Sequence, residues 1–205
     1  SRTIGLFDEW AKTGRADSMA EGHAPAVRYM LERAHRILVK ERQNYRSIDI
    51  GCGVGWAVRW LNGKVECEYS MGIDAATTMI ERAREWDAER DDAYICANIE
   101  TWTPESPVDL VTSMEVVYYL NRISTFLMRV QKSWLRPGGL FIAGLDHHPD
   151  NPRSASWSSD LDLRMDRSDD EIWHARLIAA GFSNVETWYK KLEGRKDVTL
   201  FIQGR

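Results

Sequence analysis

Cysteine is scarce. The three residues, Cys52, Cys67 and Cys96, are odd in number and show no C-x-x-C spacing, which excludes a disulfide framework and suits a reducing compartment. Together with five histidines they assemble no metal-ligand pattern, so no metal is expected. A run of roughly eighteen apolar residues is missing, as is a signal-peptide pattern. The expectation is a cytoplasmic protein with no membrane partner. An excess of basic charge is missing too: 27 Lys and Arg stand against 31 Asp and Glu, for a net charge of −4. That balance makes a nucleic-acid partner unlikely, because phosphates demand a basic face. The arginine-rich run over residues 28–46 is a local exception. Its apolar residues Val27, Met30, Leu31, Ala34 and Leu38 recur at helical spacing, so the charges read as the solvated side of an amphipathic helix. No internal repeat occurs.

What remains is an ordinary globular composition. A chain of 205 residues, 43% hydrophobic and 28% charged, fits one domain with a sizeable α/β core. Its most informative stretch is Ser47-Ile48-Asp49-Ile50-Gly51-Cys52-Gly53-Val54-Gly55-Trp56, followed by the helical pattern Ala57-Val58-Arg59-Trp60-Leu61. This reads as a buried strand, a sharp turn and a helix N-terminus. Alternating glycines allow close backbone approach, and the unpaired N–H groups at the helix start can grip an anionic or polar ligand. A second strand reading ends at Gly72-Ile73-Asp74, about twenty residues on, the spacing that brings a carboxylate to the two hydroxyls of a bound ribose. The dinucleotide fingerprint G-x-G-x-x-G would need a glycine where Trp56 stands. That bulk argues against a nicotinamide-dependent oxidoreductase.

Asp49-Ile50-Gly51-Cys52-Gly53-Val54-Gly55 followed by Gly72-Ile73-Asp74 resembles the first two motifs of class I S-adenosylmethionine-dependent methyltransferases. Two later segments agree in order: Asp109-Leu110-Val111-Thr112-Ser113-Met114-Glu115, then Leu135-Arg136-Pro137-Gly138-Gly139-Leu140-Phe141-Ile142. The resemblance runs from about Arg46 to the C-terminus. It implies a three-layer α/β, Rossmann-like methyltransferase fold, with a mostly parallel seven-stranded sheet and an antiparallel last strand. It also implies S-adenosyl-L-methionine as cofactor. By the same resemblance Gly51, Cys52 and Gly53 approach the cofactor, Asp49 anchors the turn or the ammonium group, and Asp74 with Ala75 takes the ribose. Met79 would face the adenine, Asn98 and Ile99 would read its edge, and Ser113 and Met114 would offer backbone carbonyls to the ammonium.

The function implied is methyl transfer to a small-molecule acceptor by in-line displacement. Methylation of a protein or RNA, or a non-catalytic cofactor-binding role, stays open. Tyr119, His147 and His23 are the catalytic candidates. Relatives often carry a histidine near Tyr119, and its absence leaves the identity of any base open. A base is required only if the acceptor atom carries a proton. Asp146 leaves the fifth strand beside His147 and is placed to contact substrate or cofactor.

Coarse organisation follows from punctuation. Residues 1–42 read as an N-terminal helical segment that, by resemblance, folds over the pocket, with Trp10, Arg15, Met19 and His23 as lid candidates. Within it residues 12–23 read as a loop, with Pro25 in the first turn of the next helix. Thr78-x-x-Glu81 reads as a capping box opening a helix over residues 79–89, and Ser168-x-x-Glu171 as the cap of the last helix. Strands are expected at 92–100, 108–113 and 140–145, a helix at 123–135 and a turn at 136–139. Residues 146–167 form a long insertion, and 184–192 with 198–203 a final hairpin.

Overall fold

The computed structural model describes residues 2–205. Among these, no helix is long and apolar enough to cross a membrane. Seven strands form one sheet in the order β3-β2-β1-β4-β5-β7-β6. In chain order they are β1 (Tyr45–Ile50), β2 (Cys67–Asp74), β3 (Tyr94–Cys96), β4 (Val108–Met114), β5 (Leu135–Leu145), β6 (Glu186–Lys191) and β7 (Val198–Gly204). Neighbours from β3 to β5 run parallel, and β7 enters antiparallel between β5 and β6. This is the sheet implied by the resemblance.

The sequence of β5 explains the layering. Leu140 and Ile142 belong to one apolar cluster, shared with the helices α2 (Arg15–Val39) and α3 (Trp56–Asn62). Phe141, Ala143 and Leu145 belong to another, shared with α5 (Ile123–Arg129) and α7 (Asp170–Ala180). Side chains alternate across a strand, so a run apolar at every position must be covered on both faces. The remaining helices are α1 (Arg2–Lys12), α4 (Thr77–Trp86) and the single turn α6 (Trp157–Asp160).

Several boundaries differ from those the sequence suggests. Residues 15–23 are not loop; only Thr13 and Gly14, the latter at φ +73°, separate α1 from a continuous α2, and Pro25 lies inside that helix. The reason is packing. Ala16, Ala20, His23, Val27, Met30, Ala34 and Leu38 make one unbroken stripe at three- and four-residue spacing, and burying it outweighs one missing helical donor. The box at Thr78 does not form. Helix α4 begins after Ala76 without a side-chain cap of its own, and the Thr78 N–H donates instead to Asp8 Oδ1 of α1 at 2.9 Å. The last helix is capped one residue later than expected, by Asp169 accepting from Ile172 N–H at 3.0 Å. The third strand shrinks to Tyr94–Cys96 behind a 3-10 stretch, Ala88–Ala93. The helix expected over 123–135 is α-helical to Arg129 and closes in a π-turn. Residues 136–139 form a bulge within β5, where the pairing jumps from Val108↔Leu135 to Leu110↔Leu140.

Candidate active site

The carboxyl ends of β1, β2 and β4 open onto a cavity of about 370 Å³. Its floor is the glycine turn. Gly51 takes φ +64°, and a Cβ there would lie 2.2 Å from Val116 Cγ2, so both the conformation and the space exclude a side chain. The N–H groups of Gly51 and Cys52 donate to Ile73 O at 2.7 and 3.0 Å, tying the turn to β2. Asp74 ends β2 and is fixed from two sides: Oδ2 accepts from Gly53 N–H at 3.0 Å and Oδ1 from Ala76 N–H at 2.9 Å. Each oxygen keeps a further lone pair for a ligand. Burial raises the Asp74 pKa against the pull of those donors. Asp49 accepts from the Thr112 hydroxyl at 2.6 Å and is pushed up to about 7 by burial.

The wall beyond β4 was not expected from the sequence. Glu115 sits at φ +60°, a left-handed conformation that turns its side chain back over the strand ends. Its Oε2 accepts from the Tyr118 hydroxyl at 2.7 Å and its Oε1 from Asp146 N–H at 2.5 Å. Burial, then the charge of Asp146, push the Glu115 pKa up to about 8. His23 of α2 and Glu115 both border the cavity. Behind them Asp146 is buried, accepting from the Thr199 hydroxyl at 2.7 Å and paired with the Arg195 guanidinium. Its Oδ2 stands 3.4 Å from His23 Nδ1. For Asp146, burial acts upward, but the His23 hydrogen bond and Arg195 hold the carboxyl below the usual range. For His23, burial acts downward, and Asp146 with Glu115 outweigh it and raise the imidazole.

The ligand atoms of His23, Glu115 and Asp146 lie within 4.8 Å of one another, close enough to hold a cation. Arg195 already supplies the positive charge there.

The far wall comes from the first two helices. Thr3, Phe7, Ala16, Met19 and His23 all border the cavity. Phe7 meets Tyr119 edge-on at 5.4 Å and Trp10 at 5.2 Å. Trp10 itself is buried under the Arg15 guanidinium, 4.4 Å from its ring centre, and stands outside the lining.

Residues 48–143 match the family model for a methyltransferase domain. Over that stretch, a little under half of the chain, the sequence is similar to a methyltransferase domain. A trans-aconitate 2-methyltransferase from Azoarcus sp. is 28% identical over 138 residues, covering 65% of this chain and 48% of the relative. The chain thus spans about half the length of that relative. Among solved structures, one chain of the complex between the Haloferax volcanii Trm112 methyltransferase activator and a methyltransferase superposes with a TM-score of 0.82 at 22% identity, over 97% of this chain and 96% of the other. The N-methyltransferase NodS from Bradyrhizobium japonicum, solved with S-adenosylhomocysteine, gives 0.63 at 19% identity, over 87% and 86%. At these identities the structural likeness speaks to the fold.

Most of the residues singled out from sequence converge on this cavity. Asp49, Gly51, Cys52, Gly53, Asp74 and Ala75 border the cavity, as do Met79, Asn98, Ile99 and Met114. Asn98 Oδ1 already accepts from Glu100 N–H at 2.9 Å, so part of its acceptor capacity closes its own turn. Ser113 turns away from the cavity, its hydroxyl donating to Ile50 O at 3.3 Å. Of the catalytic candidates, Tyr119 and His23 border the cavity and His147 does not. His147 is buried and stacked on Trp157, with ring centres 5.8 Å apart and planes 12° from parallel. Burial lowers its pKa. The signal for Glu115 was its position: it directly follows β4, as Asp146 directly follows the adjacent parallel β5, where open α/β sheets present ligand-binding groups.

Proposed function

We propose that this protein transfers a methyl group from S-adenosylmethionine to a small-molecule acceptor held under α1 and α2. The reading rests first on the charge of the lining. Asp49, Asp74 and Glu100 face the cavity, with Glu115 kept largely neutral beside them, against Arg164 and His23. An acid-rich cavity favours a ligand that carries an ammonium and a sulfonium, and disfavours a pyrophosphate. In this assignment Asp74 receives the ribose hydroxyls, already aimed by the Gly53 and Ala76 N–H groups. Asp49 balances the ammonium, while Met79 and Ile99 supply apolar surface for the base, with Asn98 at its edge. When bound, S-adenosylmethionine supplies a methyl group that needs little further activation, so the protein's main contribution is orientation and exclusion of water. Phe7, Tyr119 and Met19 provide the apolar enclosure for that purpose. The enclosed walls favour a small acceptor over a folded protein or an RNA.

Calorimetry with S-adenosylhomocysteine tests the cofactor assignment. We expect saturable binding, weakened at least tenfold in Asp74→Ala, since a hydrogen bond to a charged group contributes about 1.5–3 kcal/mol. Wild-type protein that is folded yet does not bind, or an alanine variant with unchanged affinity, would refute it.

A further inference from the structure

We infer that His23 and Arg164 together bind an anionic group of the methyl acceptor, a carboxylate or a phosphate, and that the methyl goes to a different atom of the same molecule. The inference rests on the methyl-transfer reading above and deepens it by naming the charge of the acceptor.

His23 stands at the opposite end of the sheet edge from the acid assigned to the ribose. Asp74 ends β2, whereas Asp146, which faces His23, directly follows β5, and β1 and β4 lie between them. Three strand spacings put roughly 14 Å between the two ends. The His23 ring is held through Nδ1, with Arg195 Nη1 at 3.3 Å and Asp146 Oδ2 at 3.4 Å. In the neutral ring Nδ1 accepts from the guanidinium, so the proton sits on Nε2. In the imidazolium Nδ1–H faces Asp146 and Nε2–H remains. Nε2 therefore carries a hydrogen in both states. It has no partner among the described residues, and His23 borders the cavity. The cavity is offered a donor there at either charge.

The charged groups facing His23 come from three segments: Asp146 after β5, Glu115 after β4, and Arg195 between β6 and β7. The two acids outweigh the guanidinium and raise the imidazole pKa. Asp146 is already paired with Arg195, and Glu115 keeps its proton up to about pH 8. The imidazolium thus holds positive charge that a ligand can meet.

Arg164 supplies the second cation. Of the arginines in the insertion, Arg153 pairs with Asp197, and Arg167 donates to the carbonyls of Pro149 and Asn151. Arg164 has no ion pair or hydrogen bond among the described residues, yet it borders the cavity with Tyr119, Leu120 and Asn121. Its neighbours Leu163 and Met165 are buried, and Asp166 N–H donates to Tyr118 O at 2.8 Å. The backbone is therefore pinned beside the exit of β4 while the exposed guanidinium is left at the cavity. Glu100 borders the same cavity, but it accepts from the Asn121 and Arg122 N–H groups and from Asn121 Nδ2. Two cationic donors at the acceptor end of an otherwise acid-lined cavity select an anion. Oxygens held by both donors are poor nucleophiles, so another atom of the acceptor attacks the methyl carbon.

Two measurements test the inference. The first is a ¹H–¹⁵N titration of the five histidines in protein saturated with S-adenosylhomocysteine, with His23 identified through His23→Phe. We expect its neutral ring to be protonated at Nε2. Malonate, inorganic phosphate or both should raise its pKa by about half a unit or more, while uncharged malonamide leaves it unmoved. Arg164→Gln should weaken the effective anion about tenfold. A neutral ring protonated at Nδ1, no response to either anion, or an equal response to malonamide would overturn the inference. The second measurement uses methyl-tritiated S-adenosylmethionine with the small-molecule fraction of a cell extract. The labelled product should be retained on an anion exchanger at about pH 8. Arg164→Gln should need about tenfold more of that fraction to reach half of the maximal rate, while binding S-adenosylhomocysteine within about threefold of wild type. A labelled product that passes the exchanger, or none at all despite cofactor binding, would overturn this inference alone. So would a loss of S-adenosylhomocysteine affinity in Arg164→Gln, which would give the guanidinium to the cofactor's own carboxylate. Absence of S-adenosylhomocysteine binding by the wild-type protein would overturn the cofactor reading with it.

Discussion

Replacing Glu115 by Gln should change how the stability of this protein depends on pH, and in a direction opposite to that of an acid paired with a cation. An acid paired with a cation has a depressed pKa and stabilises above it. Glu115 instead faces Asp146 in a desolvated wall, and its pKa rises from 4.5 to about 8. The folded chain then keeps a proton that the unfolded chain releases, so the native state binds more protons across this window and stability falls as pH rises. At about 1.4 kcal/mol per unit, the rise from pH 5.5 to 8 costs about 3 kcal/mol as an upper limit, and relaxation of the site should leave roughly half of that. Glutamine stays neutral throughout, and its Oε1 can still accept from Asp146 N–H. Urea unfolding of wild type and Glu115→Gln at pH 5.5 and 8.5 gives the double difference. His23 contributes in the same sense to both proteins, because its raised pKa also means stability lost as pH rises, and Asp146, held low, is ionised throughout. We expect the gap between the proteins to move in favour of the variant by about 1.5–3 kcal/mol. A gap constant between the two pH values would mean that Glu115 is ionised in the native state, and the account of this wall would be wrong.

The other predictions concern single contacts. Asp49, near pH 7 in its midpoint and opposite the expected ammonium, should ionise on binding. S-adenosylhomocysteine titrated at pH 6.5 in buffers of different ionisation enthalpy should release protons, the affinity rising with pH to about 7 and then levelling, and Asp49→Asn should abolish the release. Asp8→Ala removes the acceptor for Thr78 N–H and should cost about 1 kcal/mol, or about 2–4 °C in melting temperature, with faster cofactor dissociation as α1 loosens. Gly51→Ala brings a Cβ against Val116 and forces a left-handed alanine. We expect a loss of about 2–3 kcal/mol, of which Gly51→Ala/Val116→Ala recovers only the steric part.

The parallel core was legible because residues 140–145 of β5 form an unbroken apolar run, and because the glycine turn after β1 and Asp74 at the end of β2 fix where the first βα unit bends. Where local signals competed with distant contacts, the distant contacts won. Gly22 and Pro25 interrupt the composition of α2, yet the stripe from Ala16 to Leu38 continues through them and supplies the burial. Thr78 and Glu81 spell a capping box, but the donor they would satisfy is met by Asp8, 70 residues earlier in the chain. No window of sequence around α4 contains that information.

The same distinction separates the two halves of the site. The half we assign to the cofactor is written in nearby residues, since a turn and the strand beside it are local in the chain. The half containing His23 is assembled from α2, the exits of β4 and β5, and Arg195 in the final hairpin. His23 and Arg195 are 172 residues apart, and only the insertion of β7 beside β5 brings Thr199 and Arg195 against Asp146. The antiparallel last strand therefore does more than close the sheet: it delivers the hydroxyl and the guanidinium that keep Asp146 ionised behind His23. Charge at this side of the cavity is thus set by the end of the chain, through residues remote from the glycine turn and Asp74. Thr199→Val, which removes the hydroxyl donor at nearly constant volume, should raise the Asp146 pKa and, through it, lower that of His23. Melting curves that shift with no accompanying change in the His23 titration would show that β7 stabilises the sheet without tuning the site.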